Sequence, residues 1–237
     1  MNKKPLLLLV ITFLLPIIAS AQENQFSGWA AYFYSQKVSP KWGVAFDGQL
    51  RTANHYDYVN TVLLRPSVNY FFSKNTSAAL GYAYVASYGR AGGEKTFRPE
   101  NRTWEQFIVS HPISKNIGLA HRFRLEQIYK GNSSAVSNDH YFSQRLRYFA
   151  RSVIPFKAEE NFVKGAFVAL QNEVFVNVQN KNKTNTHFFD QNWAYVALGY
   201  RISKGIDAEF GYLNQYLKQA ETHTVNHILQ AAFYTRF

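Results

Sequence analysis

The sequence predicts an all-β fold: an antiparallel up-and-down transmembrane β-barrel of ten to twelve strands. Three observations lead there. The chain opens on a short apolar run of export-signal type, and no second run of helical-span length follows. Apolar and polar residues alternate with a period of two in segment after segment, as a two-faced sheet requires. Aromatic residues make up 17% of the chain and charged residues another 17%, which is sparse charge for a soluble protein. Such a chain hides apolar residues by alternation, which barrels do and helical membrane proteins do not.

Residues 1–21 read as a secretory signal peptide. Lys3 and Lys4 supply the positive start, Leu6 to Ile18 the apolar core, and Ala19-Ser20-Ala21 the small-residue cleavage site. The core is short for a membrane anchor. The mature chain then begins at Gln22, and residues 22–237 form one outer-membrane barrel domain. The formal charge of +11 falls by two when Lys3 and Lys4 are removed. Export sets nucleic acid aside as the partner of this basic chain. It leaves outer-membrane lipid and small anionic solutes. The absence of cysteine excludes disulfides and thiolate chemistry.

Eleven strand-like segments follow in order: 26–36, 42–52, 59–72, 76–88, 102–113, 117–129, 140–154, 162–178, 187–202, 206–217 and 224–237. In the second, Trp42, Val44, Phe46, Gly48 and Leu50 share one face, and Gly43, Ala45, Asp47, Gln49 and Arg51 the other. In the third, Val62, Leu64, Pro66, Val68 and Tyr70 oppose Arg65, Ser67 and Asn69. In the seventh, Leu146, Tyr148, Ala150 and Ile154 oppose Arg145, Arg147 and Arg151. In the tenth, Ile206, Ala208, Phe210 and Tyr212 oppose Asp207, Glu209 and Gly211. Eleven is odd, whereas single-chain bacterial barrels have even counts. The expectation is therefore ten strands, if segment 26–36 is not part of the wall, or twelve, if one strand is concealed, with the lean to twelve.

Connections of two kinds alternate along the chain. Ser39-Pro40-Lys41, Ser73-Lys74-Asn75, Ser114-Lys115-Asn116 and Ser203-Lys204-Gly205 are short. Longer polar stretches lie near 89–101, 130–139, 179–186 and 218–223, the first containing a loop over Gly89 to Gly93. Outer-membrane barrels pair short periplasmic turns with longer external loops. Alternation alone does not say which face is wet, since lipocalin-type barrels put the polar face outside. Three features favour a polar interior. Arg and Glu share faces with small residues. Aromatics such as Trp29, Trp42, Tyr70, Phe71, Phe72 and Tyr88 gather near strand ends. The chain ends on Phe237 behind Leu229, Ala231, Phe233 and Thr235 at alternate positions, an insertion signal of the kind read by the barrel-insertion machinery.

Several short pieces together resemble a known family. They are Trp29, Arg122-x-Arg124-Leu125-Glu126-Gln127, Arg145-Leu146-Arg147-Tyr148, Gln171-Asn172-Glu173-Val174-Phe175-Val176-Asn177, Asp190-Gln191-Asn192 and Glu209-Phe210-Gly211-Tyr212-Leu213-Asn214-Gln215. In this order the chain resembles an outer-membrane barrel family known as domain of unknown function 2490. The resemblance covers nearly all the mature chain and implies fold and location, with no activity to carry over. It implies an arginine where Trp193 stands.

The chemistry-bearing candidates concentrate in segments six to eight. Arg122, Arg124 and Glu126 share one face, as do Arg145 and Arg147. A hairpin centred near 135 sets Glu126 opposite Arg145 and Arg124 opposite Arg147. Glu173, with Gln171 and Asn177 on its face, and Asp207 with Glu209 are carboxylates available to balance these arginines. Two readings stay open. One is a structural ladder of paired charges that fills a narrow lumen; the other is a basic constriction that passes small or anionic solutes. No catalytic site is legible. His140 and Ser143 are three apart and fall on opposite strand faces, which disfavours a lipid-modifying Ser–His pair. The histidines 111, 121, 187, 223 and 227 show no metal-ligand spacing, and no phosphate loop is present, so no cofactor is implied. The expected function is a small outer-membrane barrel serving as a narrow channel, or else a plugged barrel whose external loops bind a partner.

Overall fold

A computed structural model describes residues 22–131, 140–157 and 162–237. Segment 1–21, which the sequence reads as a signal peptide, and most of the stretch 130–139 lie outside the described residues. The strands are β1 (Gln22–Lys37), β2 (Trp42–Thr52), β3 (Val59–Phe71), β4 (Thr76–Ala91), β5 (Glu94–Ser114), β6 (Ile117–Gly131), β7 (His140–Pro155), β8 (Gly165–Gln179), β9 (Phe189–Ser203), β10 (Ile206–Lys218) and β11 (His223–Arg236). Neighbours in sequence pair antiparallel, and β1 meets β11 to close the barrel. The shortest strand, β2, has 11 residues, while a tilted membrane crossing needs roughly 9–11.

The closure corrects the lean towards twelve strands. Segment 26–36 belongs to β1, which is a wall strand bonded to both β2 and β11. When strands reverse direction at every turn, an odd count leaves the first and last running the same way. Their ladder is accordingly parallel, from Gln22↔His223 to Ser35↔Arg236. Phe237 extends this seam. Its N–H donates to the Ser35 carbonyl at 2.9 Å, and its carbonyl accepts from the Lys37 N–H at 2.8 Å.

The connections are less sorted than the sequence suggests. Residues 89–101 form no long loop. Gly92 and Gly93 adopt φ of 60° and 88°, a conformation that favours glycine, and make a two-residue turn. The β4–β5 ladder therefore runs unbroken from Thr76↔Val109 to Ala91↔Glu94. Residues 219–222 also form a tight turn, with the Gln219 N–H on the Thr222 carbonyl at 3.0 Å. Conversely, β7 and β8 are joined by the nine-residue stretch 156–164 at the end that otherwise carries short turns.

The period-two pattern sorts cleanly into faces. Leu64, Leu80, Leu170, Leu198 and Phe210 point outward and are exposed. Rings band the short-turn rim, where Trp42, Tyr70, Phe72 and Phe107 follow one another at centroid distances of 4.9, 5.0 and 6.3 Å. Tyr88–Phe97 and Tyr129–Phe142 sit towards the opposite rim. Trp29 does not belong to these bands. It shares the inward parity of β1 with Ala31 and is 6% exposed.

Two fillings divide the interior. Against β8–β11 and β1 lies an apolar cluster of Trp29, Phe167, Ala169, Tyr195, Ala197, Leu213 and Ile228. Small residues make room for large ones there; a side chain at Gly199 would run into the Phe167 ring. Against β2–β8 lies a network of charge.

Candidate functional site

The charged half is built from inward positions on several strands, most of them on β6 and β7. Hairpin registers place Glu126 opposite Arg145 and Arg124 opposite Arg147 across β6 and β7. Arg147 lies opposite Phe175 on β8, and Glu173 faces Phe149. On the other side, Asp47 of β2 lies opposite Arg65 of β3. All of these side chains point inward because their parity does.

Glu126 is the hub, with 0% of its surface exposed. Its Oε1 accepts from Arg147 Nη1 at 2.6 Å, and its Oε2 accepts from Arg145 Nη2 at 2.8 Å and Nε at 3.3 Å. Arg102 Nη1 reaches Oε2 at 3.4 Å, and Arg124 and Arg65 stand 3.9 and 4.0 Å away. Five guanidinium groups thus lie within 4.0 Å of one carboxylate. Glu173 is the second hub, taking Arg122 Nη2 at 2.8 Å and Arg147 Nη2 at 2.8 Å. Arg147 bridges the two. Removing carboxylates from water is costly, and this density of charge-assisted bonds is what offsets it.

Further pairs extend the network to both rims. Arg145 also reaches Asp190 at 3.0 Å, and Glu100 takes Arg102 and, at 3.1 Å, Lys130. Arg65 grips Asp47, and Arg151 grips Glu209. At the short-turn rim Asp207 holds Arg201 at 2.8 Å and also Arg236. Near the opposite rim the side chain of Asn185 donates to the Phe189 and Lys218 carbonyls, at 3.1 and 2.9 Å, while its oxygen accepts from Asn177 at 3.0 Å. It thereby ties the 180–188 connection across β8–β10.

Aromatic faces complete the shell. Arg124 lies 4.2 Å over Trp104, and Arg147 lies 4.4 Å over Phe175. Trp193, where the resemblance implies arginine, instead packs against Trp29 at 5.1 Å and lies 5.4 Å from the Arg51 guanidinium. Between the charged and apolar halves is a cavity of about 270 Å³. Arg51, Arg65, Arg102, Arg122, Arg145, Arg147 and Arg151 line it, with Asp47 and Glu173 as its carboxylates.

The six residues singled out from sequence, Arg122, Arg124, Glu126, Arg145, Arg147 and Glu173, thus meet in one network. Sequence reasoning missed Arg51, Arg65, Arg102 and Glu100 as its members. Asp47 and Arg65 could have been found by the same hairpin arithmetic that paired Glu126 with Arg145. The sequence predicts a strand that begins only at Arg102 and reads Glu100 as part of a loop. Ser143 is buried and His140 exposed. Among the described residues no three His, Asp or Glu side chains converge as a metal site.

A family model matches residues 26–226. The chain belongs to the DUF2490 family. Its description is a protein of unknown function. The match spans β2 to β10 and parts of β1 and β11, so both carboxylate hubs, Glu126 and Glu173, and the arginines around them lie within the DUF2490 region. An uncharacterized protein of Methylorubrum extorquens is 25% identical over 190 residues, covering 80% of this chain and 78% of its own. No solved structure gives a significant match to this DUF2490 barrel.

Proposed function

We propose that this protein is exported by its signal peptide and resides in the bacterial outer membrane as a barrel whose lumen is closed by an arginine–carboxylate plug. The membrane reading is supported by the inside-out sorting of faces: apolar side chains outside, charges inside, rings banding the outer wall. It is supported too by strands long enough to cross and by the terminal Phe237 that completes the seam. Insertion would proceed through the barrel-insertion machinery, with Phe237 as its signal.

The observation that carries the closed-lumen reading is Glu126. A carboxylate with no exposed surface and five guanidinium groups within 4.0 Å is packing, not the lining of a water-filled pore. A barrel closed in this way works as a membrane-spanning body that presents its rims and its interior pocket to partners. Planar-bilayer recording of the refolded protein tests it: the expected result is absence of steady single-channel steps. Reproducible ohmic conductance with anion selectivity would replace this reading by a narrow solute channel. Recovery of the protein in the soluble periplasmic fraction would remove the membrane reading altogether.

A further inference from the structure

We infer that the central cavity is a binding site for a small multivalent oxyanion, such as phosphate or sulfate, with Arg51 and Arg122 as its principal ligands. The inference goes beyond the closed-lumen reading, because it concerns what the interior holds and not what crosses it.

The first argument is charge. Seven arginines and two carboxylates line the cavity. The two carboxylates are already engaged, Asp47 by Arg65 and Glu173 by Arg122 and Arg147. Glu126, Glu100, Asp190 and Glu209 lie outside the lining and pair with its Arg145, Arg147, Arg102 and Arg151, so that of the seven lining arginines Arg51 alone has no carboxylate partner among the described residues. The uncompensated charge of the lining thus rests on Arg51, inside the barrel, where attraction to an anion is stronger than in water.

The second argument is donors without acceptors. Arg51 forms no ion pair among the described residues. Its Nε and Nη2 meet only the Gln49 side-chain oxygen, at 3.2 and 2.7 Å, and its guanidinium lies 3.8 Å over the Trp29 ring. The ring fixes the group and leaves its remaining donor edge available. Arg122 has one nitrogen on Glu173, while its buried Nε has no hydrogen-bond partner among the described residues. A buried N–H of a cation left unmatched is costly, and an oxyanion is the acceptor that suits it.

The third argument is shape. Guanidinium forks match two oxygens of one oxyanion through two parallel N–H···O bonds, a geometric fit that a single spherical chloride does not offer. At about 30 Å³ per water molecule, the cavity admits an ion of phosphate size with part of its hydration shell.

The test is calorimetric titration of sodium sulfate, and separately inorganic phosphate, into the mature barrel in detergent micelles. Ionic strength is held constant with sodium chloride. The expected result is saturable one-to-one binding in competition with the chloride background. Arg51→Gln and Arg122→Gln should each weaken it at least tenfold, while Arg90→Gln, an exposed ion pair with Asp57, should leave it unchanged. Absence of saturable binding by the unaltered protein would overturn the inference. So would undiminished affinity in both cavity variants. The wild-type titration decides even where a variant fails to give the folded, heat-modifiable band. Because binding is read in micelles, its failure is separate from any failure of the membrane or closed-lumen reading.

Discussion

The two halves of the lumen solve the same packing problem with different materials. Against β8–β11 and β1, Phe167, Leu213 and Ile228 are 0–1% exposed and interlock with alanines, as in the core of a soluble protein. Against β2–β8, Glu126, Glu173, Arg124 and Arg147 are 0–5% exposed and interlock as ions. The apolar half gains from every contact independently, whereas the ionic half is stable only as a set. Losing one hub carboxylate leaves several guanidinium groups facing one another.

That difference yields its largest effect at Glu126. Glu126→Gln should lower stability by about 3–5 kcal/mol, read as the urea midpoint in lipid vesicles. Adding Arg147→Met should restore part of the loss, because it removes a cation left without its partner. No restoration would mean that the two groups are not coupled.

Ile228→Ala should cost somewhat less, about 2–4 kcal/mol, as lost contacts plus a cavity. Combined with Glu126→Gln it should be additive to within about 0.5 kcal/mol. A clear departure from additivity would make the two halves one cooperative core and dissolve the comparison.

The contrast between inside and outside is sharpened by Leu146→Arg against Ser67→Arg. Leu146 is 39% exposed on the outer face, and Ser67 borders an interior cavity beside Arg65. The first should lose about 2 kcal/mol in lipid and the second far less. Equal midpoints for the two would show that the outer face does not meet hydrocarbon.

Removal of Phe237 is expected to have the smallest effect on stability, about 1–2 kcal/mol for two seam hydrogen bonds. Its larger effect should be on assembly, seen as a reduced heat-modifiable band in membranes. Normal levels of folded protein would argue against a role for Phe237 in insertion.

Much of this was legible in the sequence because a strand's side-chain parity is local. Once Leu146 and Phe123 are placed outside, Arg145, Arg147, Arg122 and Arg124 must be inside. Hairpin register is also nearly local, which is why Glu126 and Arg145 could be set opposite each other. What was not legible depends on closure. Arg65 of β3 comes within 4.0 Å of Glu126 of β6 across the lumen, and no pairwise register contains that distance. The same holds for Arg151 and Glu209, on β7 and β10. The parallel seam could not be read from spacing, because it is a property of the strand count and not of any strand. The hairpin over 89–101 was missed because Gly92-Gly93 reads equally well as part of a loop and as a two-residue turn.

The seam also governs where the two ends of the described barrel lie. With β1 and β11 running in the same direction, Gln22 and Phe237 emerge from opposite rims. A strand of 11 residues spans roughly 35 Å at about 3.3 Å per residue, so no short linker could join the two ends around the wall. The molecule therefore has poles. A reporter fused before Gln22 and one fused after Phe237 would occupy opposite compartments in any membrane the barrel spans. Protease shaving of intact cells carrying one tag or the other would orient the protein without reference to its loops.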